Sequence, residues 1–268
     1  DILSQLKAMY DGYHFSKNTS IDIYNPFSLL NSLTRKEFEN YWFQTGTPTF
    51  LIKLLQENDY DLKDLSEGNI TAKDLTSKES MMNAPVALFY QSGYLTIKDY
   101  DKELQEYTLG YPNKEVEQSF LEFLLPRYVH TIDDKSASYL SKFIKDLRAG
   151  RIEDFLEKMK VFFAGIPYDI IKDTENYYQT ILFLICRLVG FYSQAEYRTS
   201  RGRMDMVIKT KDYIYVFEFK FDKSAKEALE QIDSKDYPLA FQQDERKLYK
   251  VGVNFSSQTK NIDEYIIQ

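Results

Sequence analysis

The run Tyr213-Ile214-Tyr215-Val216-Phe217-Glu218-Phe219-Lys220 sets a carboxylate and an ammonium two positions apart in an otherwise apolar stretch. Side chains alternate across a β-strand, so Glu218 and Lys220 share one face with Ile214 and Val216. Charges on so apolar a face are costly unless they pair or bind something. Asp205 precedes Glu218 by 13 positions, with the polar pair Lys211-Asp212 between them. An antiparallel return at that pair brings Asp205 and Glu218 to one end of a hairpin. Two carboxylates at one point suit a hard cation such as Mg²⁺, which prefers oxygen ligands and keeps several waters. A structural ion pair between Glu218 and Lys220 is the plainer alternative. The acid-x-Lys spacing alone is weak, because Asp61 with Lys63, Asp233 with Lys235 and Glu245 with Lys247 repeat it. Context separates Glu218-Phe219-Lys220: an apolar strand, a preceding strand with its own acid, and a following helix that carries Gln231.

The elements that must position these groups follow from periodicity. An apolar helix from Glu175 to Val189 reaches Gly190, placed as a C-cap. Strands are expected from Tyr192 to Thr199, Met204 to Thr210 and Tyr213 to Phe221. Ser224 can cap a helix from Ala225 to Ser234, and Leu248 to Phe255 alternates as a further strand. The order is α-β-β-β-α-β. Upstream, Pro26 opens a helix from Phe27 to Leu33, and others run from Thr49 to Gln56 and through Val86 to Gln91. Two strands, Gly93 to Ile97 and Leu104 to Leu109, flank a turn at Asp99-Tyr100-Asp101-Lys102. Helices followed by a hairpin suggest a winged helix. Further helices run from Pro112 to Leu125, Ala137 to Arg148 and Ile152 to Phe163. The fold class is α/β (α+β), divided into a winged-helix-like region 1–112, connecting helices 113–165 and a domain 166–268.

Composition excludes several classes. With 43% hydrophobic and 28% charged residues, 10 Gly and 7 Pro, the chain is neither disordered nor low-complexity. No apolar run approaches the roughly 20 residues that span a bilayer, so no membrane partner is expected. One cysteine, Cys186, permits no internal disulfide and points to a reducing, cytoplasmic setting. It lies among Ile181, Leu182, Phe183, Leu184 and Ile185, where an inert buried thiol is expected. His14 and His130 have no acid cluster near them in sequence, which leaves a histidine metal site unsupported. Tyr10, Tyr13, Tyr24 and Tyr41 read as core rings rather than base-stacking platforms. The net charge is −7, but residues 166–268 hold 15 Lys+Arg against 16 Asp+Glu, leaving 19 against 25 on residues 1–165. Arg198 to Lys223 is a +3 window, with seven cations and four acids.

Gly202-Arg203-Met204-Asp205, Val216-Phe217-Glu218-Phe219-Lys220 and Ala228-Leu229-Glu230-Gln231-Ile232, with Tyr237 and Gly252-Val253-Asn254-Phe255 behind them, resemble the PD-(D/E)XK nuclease superfamily. The likeness covers about residues 166–268. It implies a restriction-endonuclease-like domain with a mixed sheet flanked by helices. Met204 replaces the motif's proline. Tyr10-Asp11-Gly12-Tyr13, Tyr24-Asn25-Pro26, Tyr41-Trp42-Phe43-Gln44-Thr45-Gly46-Thr47-Pro48 and Gly93-Tyr94-Leu95-Thr96 resemble the C-terminal, lid-like part of a predicted AAA-ATPase-like family of gut and oral bacteria. No glycine is followed by Lys, so the chain holds no Walker A loop and is not expected to hydrolyse ATP. ATP enters only through an ATPase core expected upstream of Asp1, a cut end.

The resemblance assigns roles. Asp205, Glu218 and the Phe219 carbonyl would hold Mg²⁺ or Mn²⁺, Lys220 would position the attacking water, and Gln231 would orient Lys220 or the scissile phosphate. Glu175 fits the upstream acid, with Glu196 competing for it. Arg201, Arg203 and Lys223 would contact the backbone of nucleic acid, with DNA expected. The alternative is a non-catalytic module that binds nucleic acid or protein beside the ATPase core. A winged-helix transcription factor is opposed by the −6 of residues 1–165. Substrate form and oligomeric state are not legible.

Overall fold

Tyr213–Phe221 is the middle strand of a five-stranded mixed sheet in the computed structural model. The structure describes residues 1–268 except 19–20, 46–48, 58–61, 63–64, 66–68, 77–84, 130–132, 168–173, 193, 201–202, 235–240 and 242. The chain divides into two units, residues 1–120 and 121–268.

The first unit contains α1 (Ile2–Tyr10), α2 (Pro26–Arg35), a 3₁₀ turn (Trp42–Thr45), α3 (Thr49–Glu57), β1 (Asn69–Thr71), α4 (Ala72–Thr76), α5 (Pro85–Gln91), β2 (Thr96–Asp101) and β3 (Glu106–Gly110). Asp1 caps α1 by accepting from the Leu3 and Ser4 amides. Asn25 does the same for α2, with Pro26 at its first position, as the sequence predicts. The strands form an antiparallel sheet in the order β1-β3-β2. The hairpin turn lies at 102–105 rather than at Asp99 to Lys102. The Asp101 carboxylate accepts from the amides of Glu103 and Leu104, and Gln105 turns the chain with φ +55°. Tyr10, Tyr13 and Tyr41 are buried, as core rings. Gly12 has φ +102°, and a Cβ there would lie 2.1 Å from the Pro112 carbonyl oxygen, so only glycine fits. Glu115 is fully buried, and its Oε1 accepts from the amides of Tyr41 at 2.7 Å and Trp42 at 2.9 Å. One carboxylate thus holds the Tyr41-Trp42-Phe43-Gln44 stretch.

Helix α6 (Lys114–Tyr128) runs through the division. The second unit continues with α7 (Asp133–Arg148), α8 (Ile152–Ala164), α9 (Thr174–Gly190), β4 (Gln194–Ser200), β5 (Arg203–Lys209), β6 (Tyr213–Phe221), α10 (Ala225–Ser234), β7 (Lys247–Ser256) and β8 (Asn261–Ile267). The α-β-β-β-α-β order is present, with β8 added. Gly190 is the last residue of α9, inside the helix rather than beyond it as a cap. Sheet order is β4-β5-β6-β7-β8, antiparallel except for β6 with β7. That parallel pair needs a crossover, and α10 supplies it.

Strand β6 explains the aromatic composition. Tyr215, Phe217, Phe219 and Phe221 are buried on one face. Phe155 of α8 packs on Phe217 with ring centroids 5.8 Å apart, and the Tyr215 hydroxyl donates to the Leu147 carbonyl of α7 at 2.7 Å. Phe255 of β7 meets Phe163 of α8 and Tyr178 of α9. Helices α7 and α8, read from sequence as connectors, therefore belong to this unit's core. The division falls inside α6 instead of at Pro112 or Gly165.

Burial raises the pKa of Glu115 above its ordinary 4.5. The folded chain then keeps a proton that the unfolded chain has released, so this group's contribution falls as pH rises above that ordinary value. Glu115→Gln keeps an acceptor for both amides without the charge. In thermal unfolding at about pH 8 we expect it to equal or exceed the parent. Glu115→Ala strands two buried donors and should lose about 1–3 kcal/mol for each.

Candidate active site

The register of β5 on β6 sets Asp205 opposite Glu218 and Arg203 opposite Lys220. On the other side of β6, Gly252 stands opposite Glu218 and Asn254 opposite Lys220. Arg198, Asp205, Glu218 and Gly252 thus form one row across four strands. The hairpin at Lys211-Asp212 produces this convergence as its spacing predicts.

Glu218 is 0% and Lys220 4% exposed. The Lys220 ammonium donates to Glu218 Oε1 at 2.5 Å and also to Gln231 Oε1. A lone buried ion costs several kcal/mol, about as much as its partner and further hydrogen bonds can return. Here the ammonium has two oxygen acceptors from two elements. Gln231 reaches it because α10 lies against this face of the sheet, burying Ala225, Ala228, Leu229 and Ile232. Leu229 and Ile232 join Val207, Ile214 and Val216 in one apolar cluster. Gly252 permits the approach: a Cβ there would lie 2.3 Å from the Ala225 carbonyl oxygen and 3.0 Å from the Leu229 nitrogen.

The start of α10 is fixed at three points and its last turn at a fourth. Ser224 Oγ accepts from the Glu227 amide at 3.1 Å, the capping bond expected from sequence. Asn254 Oδ1 accepts from the Lys223 amide at 2.9 Å, and Glu264 Oε2 from the Ala225 amide at 3.0 Å. Lys250 of β7 pairs with Asp233 at 2.6 Å. Sequence reasoning missed Glu264 because it missed β8. The available signal was Ile262, Glu264 and Ile266 at every second position.

The remaining expected residues are placed as follows. Glu175 lies in the first turn of α9, and Glu196 lies in β4 opposite Val207, one pleat from the Asp205 row. For Glu175, Glu196, Arg203 and Asp205 the described placement is that of the backbone. Arg201, Gly202, Tyr237 and His130 lie outside the described residues. Lys223 is exposed in the connection after β6. Cys186 is buried, and burial pushes its thiol pKa up, which fits an inert role. His14 bonds Asp22 at 3.2 Å. Among the described residues no three His, Cys, Asp or Glu side chains group as a metal cluster. What the row offers a metal is hard oxygen: the Glu218 carboxylate, and Asp205 opposite it. That donor type fits Mg²⁺ or Mn²⁺ rather than a soft ion.

Residues 173–265 match the family model described as PD-(D/E)XK nuclease superfamily. The matched segment takes in all of α9, β4 to β7 with α10, and most of β8. A curated protein of Azotobacter chroococcum mcd 1, described as an uncharacterized protein in the vnfD 5' region, is 32% identical over 274 residues. The alignment covers 98% of this chain and 52% of the relative, so the chain spans about half of that protein's length. No solved structure matches. Among the described residues no helix is long and apolar enough to cross a membrane.

Gly252 supplies a test of the helix seat. Gly252→Ala should destabilise the second unit by about 1–3 kcal/mol, the usual cost of overpacking. Urea unfolding measures it, and unchanged stability would show that α10 is not pinned at this point.

Proposed function

We propose that the PD-(D/E)XK domain at residues 173–265 is a metal-dependent nuclease that hydrolyses phosphodiester bonds of DNA. The observation that carries this reading is the Lys220 ammonium held between Glu218 and Gln231, with Asp205 opposite Glu218 in register. Asp205, Glu218 and the Phe219 carbonyl are the proposed ligands. A bound Mg²⁺ or Mn²⁺ would supply charge neutralisation and a water of lowered pKa. Glu218 and Gln231 restrain the Lys220 ammonium, which leaves it aimed to hold the attacking water and stabilise charge on the phosphoryl oxygens. Glu175, with Glu196 as the alternative, serves as the upstream acid. Arg201, Arg203 and Lys223 bind backbone phosphates.

The first unit is proposed as a lid-like, winged-helix-like region that works beside an ATPase core. Two observations support this. The relative from Azotobacter chroococcum is about twice as long as the matched region. Also, Ile2 and Leu3 of α1 and Phe27, Leu30 and Leu33 of α2 are exposed large apolar side chains, the composition of a docking face. Its sheet order β1-β3-β2, with β1 between α3 and α4 and the β2-β3 hairpin after α5, supports the winged-helix reading.

One observation favours a second reading, a non-catalytic binding module. Glu218 and Lys220 are fully buried and already paired, as a purely structural ion pair would be. A cleavage assay with Mn²⁺ on single-stranded, double-stranded and branched DNA separates the two. Glu218→Gln is the control variant because it retains an oxygen for Lys220, whereas truncation to Ala leaves a buried ammonium short of a partner at about 3–5 kcal/mol. We expect Glu218→Gln to lower cleavage by about 10²–10⁴-fold with its unfolding temperature preserved. Parent-level cleavage in this variant would overturn the assignment. Absence of cleavage by the parent, with no Mn²⁺ binding by calorimetry even with DNA present, would overturn the nuclease reading and favour the second.

A further inference from the structure

The turn between β5 and β6 lies at the end of the sheet away from Glu218 and Lys220, and cations gather there. Arg148 from the last turn of α7, Lys209 and Lys211 beside the turn, and Arg246 ahead of β7 line a cavity of about 600 Å³. Three stretches distant in sequence supply them. Asp212 lines the same space, and Asp244 pairs with Arg246 at 2.6 Å. Four cations against two carboxylates leave +2 in a chain whose net charge is −7. Like charges repel at this range, so their convergence is best repaid by an anion.

The cluster is ordered, not a loose set of surface lysines. Arg246 donates through Nε and one terminal nitrogen to Asp244 and through the other to the Thr210 carbonyl at 3.1 Å. Arg148 donates to the Tyr192 carbonyl at 2.8 Å. Gly150, with φ +73°, lets Tyr213 pack close to the end of α7, since a Cβ there would lie 2.5 Å from the ring. Tyr192 lines the cavity and is 41% exposed. Guanidinium groups beside an exposed aromatic ring combine phosphate contact with base stacking.

We propose that this cavity is a second nucleic-acid contact, in which Arg148, Lys209 and Lys211 bind strand phosphates and Tyr192 takes a base. The proposal rests on the nuclease reading for its substrate. Glu218 lies five positions along β6 from Tyr213, about 16 Å at the rise of a strand. At ~3.4 Å per nucleotide along one strand of a duplex, that is about five nucleotides. The cavity therefore anchors substrate several nucleotides from the bond presented to Asp205 and Glu218. Edge strand β4 runs between the two ends of the sheet.

Fluorescence anisotropy with labelled oligodeoxynucleotides in EDTA tests this on the full chain without any cleavage. A strand of about 15 nucleotides should engage the cavity and one of about 4 should not need it. Replacing both Arg148 and Lys211 by Ala should weaken the longer strand about tenfold and flatten its salt slope by about 1.4, at roughly 0.7 for each lost phosphate contact. The shorter strand should bind as before. Lys211→Glu alone, at an exposed turn position, should weaken the longer strand as well and does not touch the Arg148 to Tyr192 bond. Parent affinity and slope in both variants would overturn the proposal. So would displacement of the longer strand by a mononucleotide at equal nucleotide concentration, since that marks a nucleotide pocket. Because the assay needs no turnover, a chain that fails to cleave can still bind here, and a chain that cleaves can still lack this contact.

Discussion

The second unit is organised around an ammonium that has been taken out of water. Lys220 is tolerated in the interior only because Glu218 and Gln231 accept from it. Each acceptor depends on a different part of the fold. Glu218 is two residues away on the same strand, so the pleat alone delivers it. Gln231 depends on the seat of α10, which depends in turn on a glycine at position 252 and on amide caps from Ser224, Asn254 and Glu264. Removing any one of these would loosen the second acceptor and leave the first. The site is therefore only as well defined as the crossover connection from β6 to β7.

The opposite face of β6 shows why that connection can be so demanding. Tyr215, Phe217, Phe219 and Phe221 meet rings and carbonyls from α7, α8 and β7, which anchors the strand before α10 is considered. Aromatic rings bury large areas with few rotatable bonds, so they fix a strand at modest entropic cost. Alternation then keeps chemistry and anchoring apart: odd positions hold the strand and even positions carry Glu218 and Lys220. The unusual aromatic content of the chain is in this sense a condition of the site.

Much of the site was legible in the sequence because it rests on short-range geometry. The strand pleat, the two-residue spacing and the hairpin turn fix which face Glu218 and Lys220 share and which residue stands opposite them. Helix α10 was legible to the residue, because Ser224 is a clear cap and the apolar positions repeat at helical spacing. Long-range relations were not legible. Periodicity shows that α7 and α8 are helices, but nothing in it says that Phe155 meets Phe217, and the helices were read as connectors. Strand β8 was missed because Asp263 and Glu264 interrupt its apolar pattern with charge. Glu264 has a partner that no local pattern reveals, an amide 39 positions away. The hairpin in the first unit slipped by a few residues because Asp99 and Asp101 are both good turn formers, and only the amides of Glu103 and Leu104 decide between them.

Charge completes the picture in a way that whole-chain arithmetic hides. A chain at −7 looks unsuited to a polyanion, yet electrostatic attraction acts over about one Debye length, ~8–10 Å in physiological salt. Within such a radius the local balance matters more than the total. Around the β5 to β6 turn that balance is positive, with Arg148, Lys209, Lys211 and Arg246 drawn from three separate stretches of the chain. At the other end of the same two strands the carboxylates Asp205 and Glu218 stand among cations, with Lys220 paired to Glu218 and Arg203 opposite Lys220, and a phosphate would lie against the two carboxylates themselves only with a cation between. The end that carries the carboxylates and the basic end therefore ask for different things of one ligand. A phosphate chain attracted to the basic end and held there would have its other part presented to carboxylates that favour a divalent metal. One β-hairpin, through its length alone, would then set the spacing between capture and chemistry.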